Sequence, residues 1–178
     1  FHSPVETIAH YESIHSRKGK DGRKTHFYYY LDIFVLNQWD LSEMGTAANG
    51  VHPSQISQVL LQTLDSCIKT TGCLLVAINR YDEPIPLSRI WCLYELWRGI
   101  ELGKRIKMGF PETEAIRFAT AVQSSEVNVD DMVQSRVDVI HARATEKQDL
   151  DMIMNNINKS IGVASFNLQL RTKLMAHL

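Results

Sequence analysis

The chain has 178 residues (20.3 kDa), a formal charge of −1 and a pI near 6.7, which fits one domain, or one domain with a helical extension. Hydrophobic residues at 44% and charged residues at 22% are enough to bury a core without staples, so chain-wide disorder is not expected. The near-neutral balance argues against a nucleic-acid-coating protein, and no nucleic-acid partner is expected.

Cys67, Cys73 and Cys92 cannot all pair with one another, and none sits in a CxxC or Cys/His ligand spacing. Reduced thiols in a cytoplasmic protein are the expectation, with no metal site. No apolar run approaches the roughly 20 residues that span a bilayer, and no signal peptide opens the chain, so no membrane partner is expected. Phe1 is not a natural start, which points to a domain excised from a longer protein.

Residues 4–15 predict a helix, with Pro4 suited to its first turn and a partial apolar stripe of Val5, Ile8 and Ile14. Residues 16–24 are basic and contain Gly19 and Gly22. They read as a solvated surface loop rather than a phosphate or nucleic-acid patch, because GxxxxGK[ST] spacing and interleaved aromatics are missing. Residues 27–36 are the clearest strand: apolar on both faces, as a central strand of a parallel sheet is. Asp32 interrupts it, either as a satisfied structural carboxylate or as part of a site. A long loop follows to Pro53, of a length that is often functional or mobile.

Ser54 is placed as the cap of a second helix, whose apolar residues Ile56, Val59, Leu60, Leu64, Cys67 and Ile68 share one face and which Gly72 ends. Residues 73–78 are a second buried strand. The loop 79–86 is kept from being helical by Pro84 and Pro86. Ser88 looks like the N-cap of a helix over 89–102, closed by Gly103. Residues 105–110 predict a short third strand. From Glu112 onward no strong strand signal remains, and 115–122, 130–140, 146–161 and 166–178 read as helices. Leu150, Ile153, Met154, Ile157 and Ile161 form a clean stripe, stopped by Gly162.

Strand–helix–strand order predicts an α/β fold whose parallel sheet has right-handed crossovers. Its first strand is expected before residue 4. The expected division is an α/β domain over 1–111 and a helical extension over 112–178 packed on it. In open sheets of this class, ligands sit at the carboxyl ends of the strands. Asp32, Asn37, Asn79 and Ser88 are candidate polar contacts from that position alone. The densest constellation is Ser88-Arg89-Ile90-Trp91-Cys92-Leu93-Tyr94-Glu95-Leu96. Trp91 and Glu95 are four apart and share a helix face. A carboxylate beside an aromatic wall suits cleavage of a glycosidic bond at a ribose, because it can stabilise an oxocarbenium-like transition state. From periodicity alone, core packing of Trp91 with a solvated Glu95 explains the same pattern. Cys92 is read as a packing residue.

That nine-residue stretch closely resembles the SxxWCLxEL signature of Toll/interleukin-1 receptor (TIR) domains, most nearly the plant immune-receptor form. Tyr30-Leu31-Asp32-Ile33-Phe34-Val35-Leu36-Asn37-Gln38-Trp39-Asp40, with Pro84-Ile85-Pro86-Leu87-Ser88-Arg89, looks like the TIR-like domains that microbial eukaryotes place beside tetratricopeptide or NACHT-type modules. The likeness continues through residues 138–178 and so covers most of the chain. The first strand and its loop are not recognisable, and residues 39–53 depart from the family's loop after the second strand.

The resemblance implies a flavodoxin-like fold with a C-terminal helical extension. It also implies cleavage of NAD⁺, as substrate rather than cofactor, into nicotinamide and ADP-ribose or its cyclic isomer. The family's catalytic glutamate falls on Glu95 and its motif tryptophan on Trp91. Activity is expected on self-association, in innate-immune or cell-death type signalling and beside other signalling modules. The same resemblance allows a non-enzymatic assembly domain. A nucleoside deoxyribosyltransferase-like enzyme would share the fold and a motif carboxylate.

Overall fold

The computed structural model describes residues 4–16 and 53–176. Within them the protein is mixed helix and strand, with seven α-helices, one 3₁₀ turn and a two-stranded parallel sheet. The strand expected at 27–36 and the loop after it lie outside the described residues.

The first helix, α1, is Pro4–His15, with proline where the missing N–H costs nothing. Its buried face differs from the expected stripe: Val5 and Ile14 are exposed at 67% and 61%, whereas Thr7 is fully buried. The reason is close approach to the second strand, β2 (Arg105–Gly109). A Cβ on Gly109 would stand 2.9 Å from Thr7 Cγ2, so only glycine leaves room for the threonine methyl. Beside it, His10 Nδ1 bonds the Phe110 carbonyl at 2.8 Å.

Helix α2 (Pro53–Thr70) brings Leu64 and Ile68 into the core, but Val59, expected on that face, is half exposed. Strand β1 (Cys73–Ala77) pairs in parallel with β2, from Cys73 opposite Arg105 to Ala77 opposite Gly109. Between them runs helix α3 (Ile90–Glu101), so strand, helix and parallel strand form one crossover unit.

Two expectations are corrected at the entry to α3. Residues Ile85–Ser88 form a 3₁₀ turn although prolines flank and enter it, because Pro86 sits where no N–H is needed. Ser88 is the last residue of that turn and not a cap. Arg89 holds the N-cap position, and no side chain caps α3.

Four more helices complete the protein: α4 (Glu112–Gln123), α5 (Val129–Arg136), α6 (Lys147–Ser160) and α7 (Val163–Met175). Asn128 caps α5 by accepting from the Asp130 and Asp131 N–H groups at 2.9 and 3.3 Å. The pattern predicted helix through residue 140, but α5 stops at Arg136 because α7 takes over the next backbone groups. Asn167 Oδ1 accepts from Val139 N at 3.0 Å, and Arg171 Nε donates to the Val137 carbonyl at 2.7 Å. Asp138 Oδ1 accepts from Ile140 N at 3.0 Å, turning the chain locally.

The core is one continuous cluster. Val76, Ile78 and Ile106 from the sheet region join Leu93 and Trp97 of α3 and the fully buried Ile153, Ile157, Phe166 and Leu170 of α6 and α7. At about 1.5–3 kcal/mol per large apolar side chain removed from water, this shared cluster is what fixes α6 and α7 against the strands. No helix among the described residues is long and apolar enough to cross a membrane.

Candidate functional site

β1 ends at Ala77, Ile78 is fully buried, and Asn79 opens the loop that leads to α3. That loop is held from the side by α4. The Glu114 carboxylate, 2% exposed, accepts from the Tyr81 N–H at 2.8 Å and from Arg117 Nη1 at 2.6 Å. Arg117 in turn lies over the Tyr81 ring, 5.3 Å from its centroid. Further along, Arg80 forks onto Asp82 at 3.0 and 2.7 Å, and that hydrogen-bonded cation holds the Asp82 carboxyl below its usual range.

Asn79 Oδ1 is buried, and among the described residues it has no hydrogen-bond partner. An acceptor left this way is costly unless something outside the described residues serves it. Ser88 Oγ donates to the Ile85 carbonyl at 2.9 Å, closing the 3₁₀ turn. Trp91 is half-buried, and its indole N–H donates to Asp149 Oδ2 of α6 at 2.9 Å. Glu95 is half-buried in the second turn of α3, about 9 Å along the axis from Arg89 at 1.5 Å per residue. Asp32 and Asn37 lie outside the described residues. Asn79 and Ser88 thus lie in the loop and turn that lead into α3, and Trp91 and Glu95 lie on α3 itself.

The far end of α3 is anchored to α2. Arg98 forks onto Asp65 at 2.7 and 2.6 Å and also pairs with Glu101. Those carboxylates, Asp65 first, push the guanidinium further above its usual value. Burial pushes the Tyr94 phenol up, and does the same for the Cys73 thiol. None of the three cysteines is in a disulfide. Among the described residues no three His, Cys, Asp or Glu side chains cluster as metal ligands.

Compared with protein-family models, curated proteins and solved structures, the chain matches none.

One part of this region has no trace in the sequence pattern. Residues 137–145, expected partly as helix, return to the start of α3, where Arg143 pairs with Arg89 in a single parallel bridge. Its two bonds run from Arg143 N to the Ser88 carbonyl at 2.8 Å and from Ile90 N to the Arg143 carbonyl at 2.9 Å. A groove of about 320 Å³ opens here, lined by Ser88, Arg89, Arg136, Arg143 and Thr145, among others. Arg89 stands inside the quoted signature. Arg143 lies 54 residues further on (143 minus 89), and no local period announces that the two meet.

Proposed function

We propose that this chain is a TIR-like domain, flavodoxin-like in its complete sheet, that cleaves the nicotinamide–ribose bond of NAD⁺. It acts in the cytoplasm when assembled with copies of itself, beside other signalling modules, in innate-immune or cell-death type signalling. The observation that carries this reading is the position of Glu95. A half-buried carboxylate sits in the second turn of the helix that follows a parallel strand, one turn after Trp91, inside a stretch that resembles the family signature.

In that role Glu95 accepts hydrogen bonds from the ribose hydroxyls and faces the positive charge that develops as the bond to nicotinamide stretches. Nicotinamide leaves with the bonding electron pair. Water adds to the ribose carbon and loses a proton, giving ADP-ribose; attack by the adenine ring instead gives the cyclic product. The buried Asn79 Oδ1, which has no partner among the described residues, suits a hydroxyl or amide donor of the substrate.

The test is nicotinamide release by the protein at high, assembly-promoting concentration. Glu95→Ala and Glu95→Gln are expected to slow it by about 10²–10³-fold, the usual loss for one preorganised electrostatic group. Equal rates in wild type and variants would reject Glu95 as catalytic. A non-enzymatic assembly domain is the second reading, favoured by the commitment of the Trp91 N–H to Asp149. Assembled wild type that leaves NAD⁺ intact would select it. Transfer between a deoxynucleoside and a free base would select the deoxyribosyltransferase-like chemistry.

A further inference from the structure

The groove at the start of α3 contains three arginines, two of them arranged against ordinary electrostatic preference. The bridge sets Arg89 and Arg143 directly abreast, and like charges facing each other across paired strands destabilise. Both stand at the N-terminal, positive end of the α3 dipole, where cations are again disfavoured. Among the described residues neither guanidinium has a hydrogen bond or an ion pair. The third arginine, Arg136, is held at the groove by donating from Nη2 to the Asp82 carbonyl at 3.1 Å. Glu83 is the acid in the lining; it lies 4.0 Å from Arg80, and its side chain is 65% exposed. Three cations against one acid leave the lining at a formal +2.

We infer that this groove binds the phosphoryl group of a small phosphate ester or diphosphate. One anion between Arg89 and Arg143 would turn each unfavourable term into a favourable one: repulsion becomes a shared contact, and the helix end gains the charge it prefers. Guanidinium forks match phosphate oxygens bidentately, and the Thr145 hydroxyl adds a short-range donor. A groove of about 320 Å³ walled by Pro84, Ile85 and Ala144 fits a small molecule better than an extended polymer, whose basic footprint would run along a surface. The inference does not require Glu95, which does not line the groove.

Inorganic pyrophosphate is the first probe, titrated by calorimetry at low salt into the 178-residue protein. Arg89→Gln and Arg143→Gln should each weaken binding at least tenfold, because the bridge between them is made by backbone and survives both changes. Arg80→Gln, outside the lining, should leave the affinity within twofold, and Glu95→Ala likewise. On the unaltered protein, pyrophosphate should protect Arg89 and Arg143 from phenylglyoxal, read by peptide mass spectrometry; this holds even where a variant fails to fold. NAD⁺ and inorganic phosphate form the other arms. If NAD⁺ displaces pyrophosphate from Glu95→Ala, the phosphoryl group belongs to the dinucleotide. If only phosphate or pyrophosphate protects the arginines, it belongs to a separate phosphorylated ligand. Absence of protection by every probe, or unchanged affinity in both glutamine variants, overturns the inference. Loss of NAD⁺ cleavage in Glu95→Ala with pyrophosphate binding intact shows that the two sites stand or fall separately.

Discussion

Two adjacent positions of α3, Trp97 and Arg98, are fixed to different helices by different physics. Toward α2 the contact is a charged fork, Arg98 on Asp65, with side chains 19% and 25% exposed. Toward α7 it is aromatic: the Trp97 ring stands 5.3 Å from that of Phe166, which is fully buried. The fork gives direction but remains open to screening, since partly exposed ion pairs contribute modestly once desolvation and side-chain ordering are counted. The aromatic contact is non-directional and insensitive to salt. Neighbouring residues of one helix are thus tied to α2 by charge and to α7 by packing. Glu95 lies less than one turn before both contacts, on the same helix.

The contrast is open to direct tests. Phe166→Ala should be the most damaging, removing about 3–5 kcal/mol of unfolding free energy, because the cavity beside Trp97 cannot collapse against three helices. Urea denaturation at low and high salt should give the same loss, and a salt-dependent loss would contradict the assignment. Asp65→Ala should cost less, about 1.5–3 kcal/mol for hydrogen bonds to a charged group, and part of that cost should vanish in high salt. A larger effect than Phe166→Ala would reverse the comparison.

Trp91→Phe keeps the ring packing and removes the indole donor to Asp149, with an expected loss of about 1 kcal/mol. The same variant speaks to function: nicotinamide release unchanged within a few-fold makes Trp91 a tie between α3 and α6, whereas a rise in KM makes it a wall of the substrate site.

The smallest effect concerns acid. Burial acts to raise the Asp138 carboxyl, but hydrogen bonds from His141, the Ile140 N–H and Asn167 outweigh it and hold the group below its usual value. A carboxyl depressed by folding contributes stability that is fully present above its unfolded value, about 3.9, and is lost as pH falls through the lower folded value. Asp138→Asn should therefore lose about 1 kcal/mol at neutral pH and show a flatter decline below about pH 4. Parallel acid limbs for the two proteins would show that Asp138 carries no such linkage.

Much of the element order was legible because its causes are local. The run from Cys73 to Ala77 is apolar on both faces and bounded by Gly72, and the spacing of Ile153 and Ile157 marks α6 as amphipathic. The entry to α3 departs from its local pattern for an equally physical reason. Ser88 has the chemistry of a cap, but its hydroxyl closes the preceding turn and its carbonyl is taken by Arg143. The end of α5 departs from its local pattern because Asn167 and Arg171, about thirty residues away, compete successfully for backbone groups that a helix would otherwise use. In the candidate site, a spacing of four puts Trp91 and Glu95 on one helix face, while their proposed roles come from the resemblance to the TIR signature. Nothing nearby in sequence announced Asp149 as the partner of Trp91, or Glu114 as the clasp on the 79–87 loop.

What the sequence determined by itself is therefore a succession of elements and the helix face on which Trp91 and Glu95 stand, since backbone periodicity and turn residues act over a few positions. Tertiary structure alone decided that Arg89 meets Arg143, that Trp91 is tied to Asp149, and that one core spans the strands and the last two helices. Those pairings join residues more than fifty positions apart. They are selected by which faces can leave water together, and that is a property of the folded whole rather than of any local stretch.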